Sequence, residues 1–256
     1  MLTYSKLGKN GRLGNQMFQY AALCGAAFLR GYKFMIHTGG HNLLDTFELG
    51  SQYEWDESKF PSHLYQEPSF AYDPNIAIVP CSTELQGYFQ SPHYFMHCED
   101  EIRKNFKFKQ SILDEAETQM KSLNSEGVPT CAIHIRRSDY LQKSTYHAVQ
   151  SPAYYGTAAQ AVSQQVPNVH FIIFSDDIDW CKENMRGNIS FADNSPAVDM
   201  CIMSKCDIHI IANSSFSWWG AWLAESNAVI APKQWFGPDG PDNWETVYYP
   251  NWNIIG

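Results

Sequence analysis

The sequence predicts an α/β protein whose second half is a Rossmann-like domain, and three observations lead there. From residue 130 onward, five short strands alternate with four helices, the pattern of a parallel sheet with crossover helices. Those strands are apolar throughout, as expected of strands covered on both faces. Two helix starts, Ser151-Pro152 and Ser195-Pro196, place proline at the first helical position behind a capping serine, where its missing N–H costs nothing.

The first half opens with a short strand. Gly14 then leads into a helix over 15–30, in which Met17, Phe18, Ala21, Cys24 and Phe28 recur at helical spacing. Gly31 suits the left-handed residue beyond a helix end. A strand over 33–37 follows, and periodicity assigns nothing over 38–75. A strand over 76–80, an aromatic segment over 87–95 and a helix from Ser111, with Ser111-x-x-Asp114 spaced as a capping box, complete this half. Residues 124–129 read as a linker, giving domains over 1–125 and 126–256.

In the second half, strands are expected over 130–135, 169–174, 188–191, 207–211 and 228–231. Helices are expected over 152–165, 178–185, 196–205 and 216–225.

The chain has 256 residues, 44% hydrophobic, with a formal charge of −9. That balance opposes a general attraction to nucleic acid or an anionic membrane. No apolar run reaches the ~18 residues of a membrane helix, and the N-terminus lacks a signal-peptide layout. The expectation is a cytoplasmic protein with no integral membrane segment; peripheral attachment to the inner membrane stays open, and oligomeric state is not readable. Seven cysteines stand singly with no C-x-x-C pair, which reads as buried reduced thiols.

Ligands of open parallel sheets bind beyond the carboxyl ends of the strands. Those ends here carry His134-Ile135-Arg136-Arg137-Ser138-Asp139-Tyr140, Ser175-Asp176-Asp177 and Asn213-Ser214-Ser215-Phe216-Ser217. A guanidinium offers phosphate a planar fork of donors. Adjacent residues of an extended chain point opposite ways, so Arg136 is expected to face a ligand, with Arg137 open between a ligand and a surface or ion-pairing role. Asn213, Ser214, Ser215 and Phe216 lie at a strand-to-helix turn, where the helix start favours an anion; ordinary serine capping is the alternative.

Ser175 and Asp177 suit a ribose or guanine edge, or again a helix cap. Asp177-Ile178-Asp179 spells the short D-x-D pattern of metal-dependent glycosyltransferases, but carboxylates are favoured in a first helical turn anyway. No G-x-x-x-x-G-K-[ST] occurs, and Gly11 and Gly14 supply only two glycines of a dinucleotide fingerprint. They suit a tight loop that brings Arg12 and Asn15 to a bound group, or a plain turn before a helix. Trp218 and Trp222 are expected to pack on the sheet. Tyr88, Phe89, Tyr94 and Phe95 are read as core aromatics, with an acceptor groove as the alternative.

Three segments, Gly11-Arg12-Leu13-Gly14-Asn15-Gln16-Met17-Phe18-Gln19-Tyr20-Ala21, His134 to Tyr140, and Asn213 to Leu223, resemble in order the signatures of the bacterial α-1,2-fucosyltransferases of glycosyltransferase family 11. The likeness spans about residues 11–223. One departure is Arg12, where many members have glycine; it either adds a phosphate contact or points to solvent.

The resemblance implies a GT-B architecture, two Rossmann-like domains facing across a cleft. It further implies GDP-fucose on the C-terminal domain, an N-terminal acceptor-side domain and inversion at the fucose anomeric carbon without a metal. The implied acceptor is a glycan ending in galactose, as in an O-antigen unit. By the same resemblance Arg136 binds the diphosphate with His134 beside it, Ser215 and Phe216 approach the phosphates, Asp177 the guanosine, and Gly14 with Asn15 the sugar-diphosphate.

Charge on the departing nucleotide would then be stabilised by Arg136 and helix-terminal N–H groups in place of a divalent cation. Asp139 is the nearest candidate base, though holding an arginine suits it better. Two rivals remain: a non-catalytic nucleotide-sugar-binding protein, and a metal-dependent transferase using Asp177 and Asp179.

Overall fold

The structure is a computed structural model that describes residues 1–37, 39–49, 61–124, 126–224, 226 and 228–256. The chain forms two compact units, Met1–Lys109 with Asn243–Tyr249, and Gln110–Asp242 with Pro250–Gly256.

The first unit contains β1 (Leu2–Tyr4), α1 (Leu13–Arg30), β2 (Phe34–Ile36), α2 (Leu43–Thr46), β3 (His63–Gln66), β4 (Thr83–Gln86) and α3 (Glu99–Asn105). Its sheet runs β2-β1-β4-β3 with every pairing parallel. Helix α1 has no proline and no β-branched residue, which suits a long helix. It is buried almost continuously from Leu13 to Ala27. Gly31 ends it at φ 61° with its N–H on the Ala27 and Phe28 carbonyls, the left-handed stop expected from the sequence. Within α1, Gly25 admits the Tyr94 carbonyl so closely that an added Cβ would lie 2.1 Å from that oxygen.

The strand expected over 76–80 is instead a 3-10 turn, Pro74–Ile78. Pro74 lacks a ladder donor and the Asp73 carboxylate accepts from Asn75 N at 3.0 Å, so local chemistry nucleates a turn. Strands β3 and β4 lay in territory the sequence left unassigned, and 38 and 50–60 lie outside the described residues.

The second unit begins with α4 (Gln110–Leu123), then β5 (Thr130–Ile135), α5 (Ser138–Gln142), α6 (Pro152–Gln165), β6 (His170–Ser175), α7 (Ile178–Asn184), β7 (Ile189–Ala192), α8 (Pro196–Met203), β8 (Ile208–Ile210), α9 (Ser215–Leu223), β9 (Val229–Pro232) and β10 (Asn253–Ile255). The division therefore falls at Lys109 and Gln110 rather than at 125 and 126. The cause is α4, which packs against α8, so the helix before the expected linker belongs to the second unit. Ser111 and Asp114 do not form a capping box: Ser111 is already helical and Asp114 accepts from Gln110 Nε2 at 2.7 Å. The 216–225 helix ends at Leu223, and Glu225 lies outside the described residues.

The second sheet runs β10-β9-β8-β5-β6-β7, all parallel. On one face Cys131, Ile133, Ile135, Phe171 and Ile173 pack with Tyr154, Ala158 and Val162 of α6. Serines cap α6 and α8: Ser151 Oγ accepts from Tyr154 N at 3.2 Å and Ser195 Oγ from Val198 N at 3.4 Å. Trp218 and Trp222 are buried, as the packing reading required. Six of the seven cysteines are buried thiols, Cys81 being exposed. Among the described residues, no helix is long and apolar enough to cross a membrane.

Strand succession decides where this unit can bind. From β5 the chain adds β6 and β7 on one side, then returns to place β8 on the other side of β5. The loops after β5 and β8 thus leave in opposite directions and open a crevice at the carboxyl edge.

Candidate active site

The crevice of the second unit lies where Arg136 to Tyr140 follow β5 and Asn213 to Phe216 follow β8. Arg136 is clamped by two carboxylates, with Nη2 on Asp139 Oδ1 at 2.6 Å and Nη1 on Asp176 Oδ2 at 3.1 Å. The Asp139 pair is also a hydrogen bond, whereas Asp176 Oδ2 has ion-pair distance without hydrogen-bond alignment. Arg136 lies 5.4 Å over the Tyr140 ring, and that phenol donates to Asn213 O at 2.9 Å. One aromatic residue thereby ties the arginine loop to the loop before α9.

Arg137 takes a different course, as alternation along an extended chain requires. Its guanidinium stacks 3.6 Å over Trp180, its Nε meets Asp177 Oδ2 at 3.1 Å, and its N–H donates to Asp176 Oδ1 at 2.9 Å. Arg137 is thus an ion-pairing residue, the alternative to a ligand contact. Asp177, expected at a guanosine, is engaged by this arginine.

Two guanidinium groups and three carboxylates share the cluster, so it is not the bare positive patch that paired arginines suggest. The carboxylates orient Arg136 and leave the start of α9 as the other source of positive potential.

At that start the serines act as caps, again one of the two sequence readings. Ser214 Oγ accepts from Phe216 N at 3.3 Å, and Ser217 Oγ donates to Ala212 and Ser214 carbonyls. Ser215 is the first helical residue. Asn213, a candidate ligand contact, spends its amide inside the fold: Nδ2 donates to Ala148 O at 2.9 Å and Trp235 O at 2.6 Å, and Oδ1 accepts from Gln150. It braces the crevice wall. Ser175 Oγ similarly accepts from Asp177 N at 3.0 Å.

His134 is buried with its ring 5.5 Å from that of Phe216. Burial, and then the Arg136 charge, push its pKa down to about 3, so it is a neutral imidazole near pH 7. Its Nδ1 is buried and finds no hydrogen-bond partner among the described residues. Asp139 is the more exposed member of its pair, 44% against 14% for Arg136, and holds the arginine as expected. Asp179, the second carboxylate of D-x-D, pairs loosely with Lys182 at 3.8 Å, away from the Asp177 partner.

In the first unit, Arg12 is the N-cap of α1, and Gly14 and Asn15 lie in the helix's first turn. Arg12 is exposed at the helix cap, and Gly14 is buried. Gly11 has φ 92°, and an added Cβ would lie 2.2 Å from Asn15 Nδ2, so both backbone sign and space select glycine.

Sequence reasoning missed the amides beneath this turn. Gln16 Nε2 donates to Gly11 O at 3.2 Å while its Oε1 accepts from Asn42 N at 2.8 Å. Gln19 Nε2 donates to Asn10 O at 2.9 Å. Both glutamines are essentially buried. Their signal was legible, since polar residues three apart on an otherwise apolar helix face need internal partners.

Residues 4–256 match the family model described as glycosyl transferase family 11. An α-1,2-colitosyltransferase of Escherichia coli is 31% identical, covering 88% of this chain and 90% of that protein. The galactoside α-(1,2)-fucosyltransferase 1 of Bos taurus is 27% identical, covering 86% of this chain and 66% of that longer protein. The fold is that of the Bradyrhizobium fucosyltransferase NodZ, with a TM-score of 0.57, 13% identity and coverage of 87% and 92%. This is the two-domain GT-B class of glycosyltransferase fold.

Proposed function

The chain belongs to glycosyl transferase family 11 and is a glycosyltransferase, and from that premise we propose that it moves L-fucose from GDP-fucose to the 2-hydroxyl of a terminal galactose. The observation that carries this reading is the crevice after β5 and β8, where the clamped Arg136 guanidinium and the start of α9 belong to neighbouring strand ends. Those two features suit a diphosphate leaving group. The linkage follows the α-1,2 activity named for both relatives.

In this reading the second unit binds the donor and the first the acceptor. The anomeric C–O bond breaks as the galactose oxygen attacks from the opposite face, converting the β-linked donor to an α-linked product. Negative charge grows on GDP, and Arg136 with the α9 N–H groups stabilises it. Asp139 and Asp176 keep the guanidinium oriented before charge develops, which lowers reorganisation. Neutral His134 serves as a hydrogen-bonding neighbour, not an acid. Asp139 remains committed to Arg136, so the acceptor proton is assigned to water or a phosphate oxygen. The enzyme acts in the cytoplasm on a soluble or lipid-linked O-antigen type glycan.

A second donor reading has its own support: the 31% identical relative is named for colitose, the 3-deoxy counterpart of fucose. The test is incubation of the purified protein with GDP-fucose or GDP-colitose, with and without lactose, in excess EDTA. GDP release and product mass are followed, and linkage by NMR. A fucosylated lactose is expected. Turnover confined to GDP-colitose would replace the donor, and activity lost in EDTA but restored by manganese would replace metal-free chemistry. GDP binding without bond cleavage on any β-galactoside would reduce the protein to a nucleotide-sugar binder.

A further inference from the structure

Within the first unit, the turn after β4 is held with unusual care around one outward-facing side chain. Gly87 O accepts from the Tyr4 hydroxyl, and also from Gln19 Nε2 at 3.5 Å. The carboxylate of Glu67, which follows β3, accepts from Tyr88 N at 2.6 Å and from Phe89 N at 3.0 Å. Phe89 sits at φ 53°, a left-handed conformation that a non-glycine residue adopts only at a cost. Its ring is buried in edge contact with Tyr4 and Tyr94 and stacked with Tyr65. Gln90 Nε2 donates to Asn15 Oδ1 at 2.8 Å, and Ser91 Oγ donates to Thr246 O at 2.6 Å.

Gly87 is itself required by the brace, because an added Cβ would lie 2.4 Å from Glu67 Cβ. Every residue of the turn is thus fixed, and the Tyr88 ring alone is presented outward, 46% exposed and without a ring contact among the described residues. Phe89, Tyr94 and Phe95 are fully buried, so of the four aromatics in this segment only Tyr88 can meet a ligand. Partly burying a carboxylate and straining a backbone are costly means of holding a surface loop. Their result is a rigid ring at the carboxyl edge of a parallel sheet, bonded through Gln90 to Asn15 in the first turn of α1.

We propose that the turn Gly87 to Gln90 is an acceptor subsite, in which the Tyr88 ring stacks on the apolar face of a galactoside and Glu67 is the positioning residue that fixes it. The inference rests on the galactoside acceptor of the preceding reading and adds residues to it. A galactose ring presents C–H groups on one face and hydroxyls on its rim, so a flat exposed aromatic recognises the face while leaving the rim to polar neighbours. Glu67 acts only through the Tyr88 and Phe89 N–H groups.

The experiment measures transfer from GDP-fucose to lactose, N-acetyllactosamine and methyl β-galactoside, with GDP-fucose affinity determined separately by calorimetry. Tyr88→Ala is expected to raise the acceptor KM about tenfold, the loss of one aromatic contact, with donor affinity within twofold of the parent; Tyr88→Phe stays near the parent. Glu67→Gln raises the acceptor KM in the same direction, and the double variant adds little to Tyr88→Ala, because both act on one ring. An acceptor KM unchanged in Tyr88→Ala, in a parent that transfers fucose, overturns this inference alone. Full additivity in the double variant removes Glu67 from it. Parent protein that binds no GDP-fucose, or transfers to none of the three acceptors, overturns the underlying reading and this inference with it.

Discussion

At the carboxyl edge of the six-stranded sheet, five charged side chains hold one another: Arg136, Arg137, Asp139, Asp176 and Asp177. At the same edge of the four-stranded sheet, the turn at Asn10 and Gly11 is held by neutral amides, Gln16 and Gln19 from below, with Gln90 on Asn15. Each arrangement fixes a loop, but they differ in what they can do. Oriented charges stabilise a group whose own charge changes during reaction, and cost little reorganisation when it does. Amides fix shape, and are indifferent to salt and to pH. Under the proposed function, the difference gives the electrostatic part of the chemistry to the second unit and the geometric part to the first.

The sharpest way to break this comparison is at Arg136. Arg136→Ala is expected to lower kcat by ~10²-fold or more, the loss of one transition-state charge contact, whereas Arg137→Ala should cost far less, since Arg137 serves Trp180 and Asp177. Steady-state kinetics on folded variants decide it; near-parent turnover in Arg136→Ala would end the electrostatic assignment.

Acid should separate the units next. His134 and His209 of the second unit are buried, and burial lowers their pKa values to about 3 and about 4. Their folded values lie below the unfolded one, so their contribution is complete above about pH 6.5 and is lost as pH falls toward the folded values. Between about pH 7.5 and about pH 5 each removes ~2 kcal/mol. Asp199, raised by burial to about 6, offsets part of this. In the first unit Glu67 is raised by burial to about 7, so its contribution is present at low pH and disappears as pH rises through 7. Amide hydrogen exchange at the two pH values should show protection falling in β5 and β8 while β1 and β4 keep theirs. Parallel loss in both sheets would refute the contrast.

Gln19→Ala tests the amide side. It leaves the Asn10 carbonyl without this partner in a part-buried site and should cost ~1 kcal/mol, seen as a lower denaturation midpoint, equally at low and high salt. A strongly salt-dependent loss would mean the turn is held by charge after all. The smallest effect is expected at Ser214→Ala, where the lost cap to Phe216 N costs ~1 kcal/mol of stability and reduces turnover only modestly.

The sheet of the second unit was legible because its strands are buried on both faces and read as short apolar runs; β5 and α6 fall where periodicity placed them. The first unit was not, for identifiable reasons. β3 is an exposed edge strand, His63–Gln66, with no apolar alternation. β4 contains Glu84, buried because its carboxylate takes the Thr3 hydroxyl and the Ser5 N–H, so a charged residue hid a central strand. Around the candidate site, the loops were legible from their polar residues at strand ends. Their partners were not: nothing in the spacing says that Asp176, forty residues after Arg136 in the chain, closes on that guanidinium, because only strand pairing of β5 with β6 brings the two together.

The segment Asn243–Tyr249 returns to the first unit, where Thr246 meets Tyr72 and Ser91, and Tyr249 donates to Glu99. The chain then re-enters the second unit to add β10. The two units are therefore interlaced along the chain and cannot be inherited or exchanged as simple cassettes. A single recombination crossover near residue 109 would deliver a new first unit stripped of its own closing segment and supplied with a foreign one. Swapping the first unit whole between relatives requires two crossovers more, flanking Asn243–Tyr249.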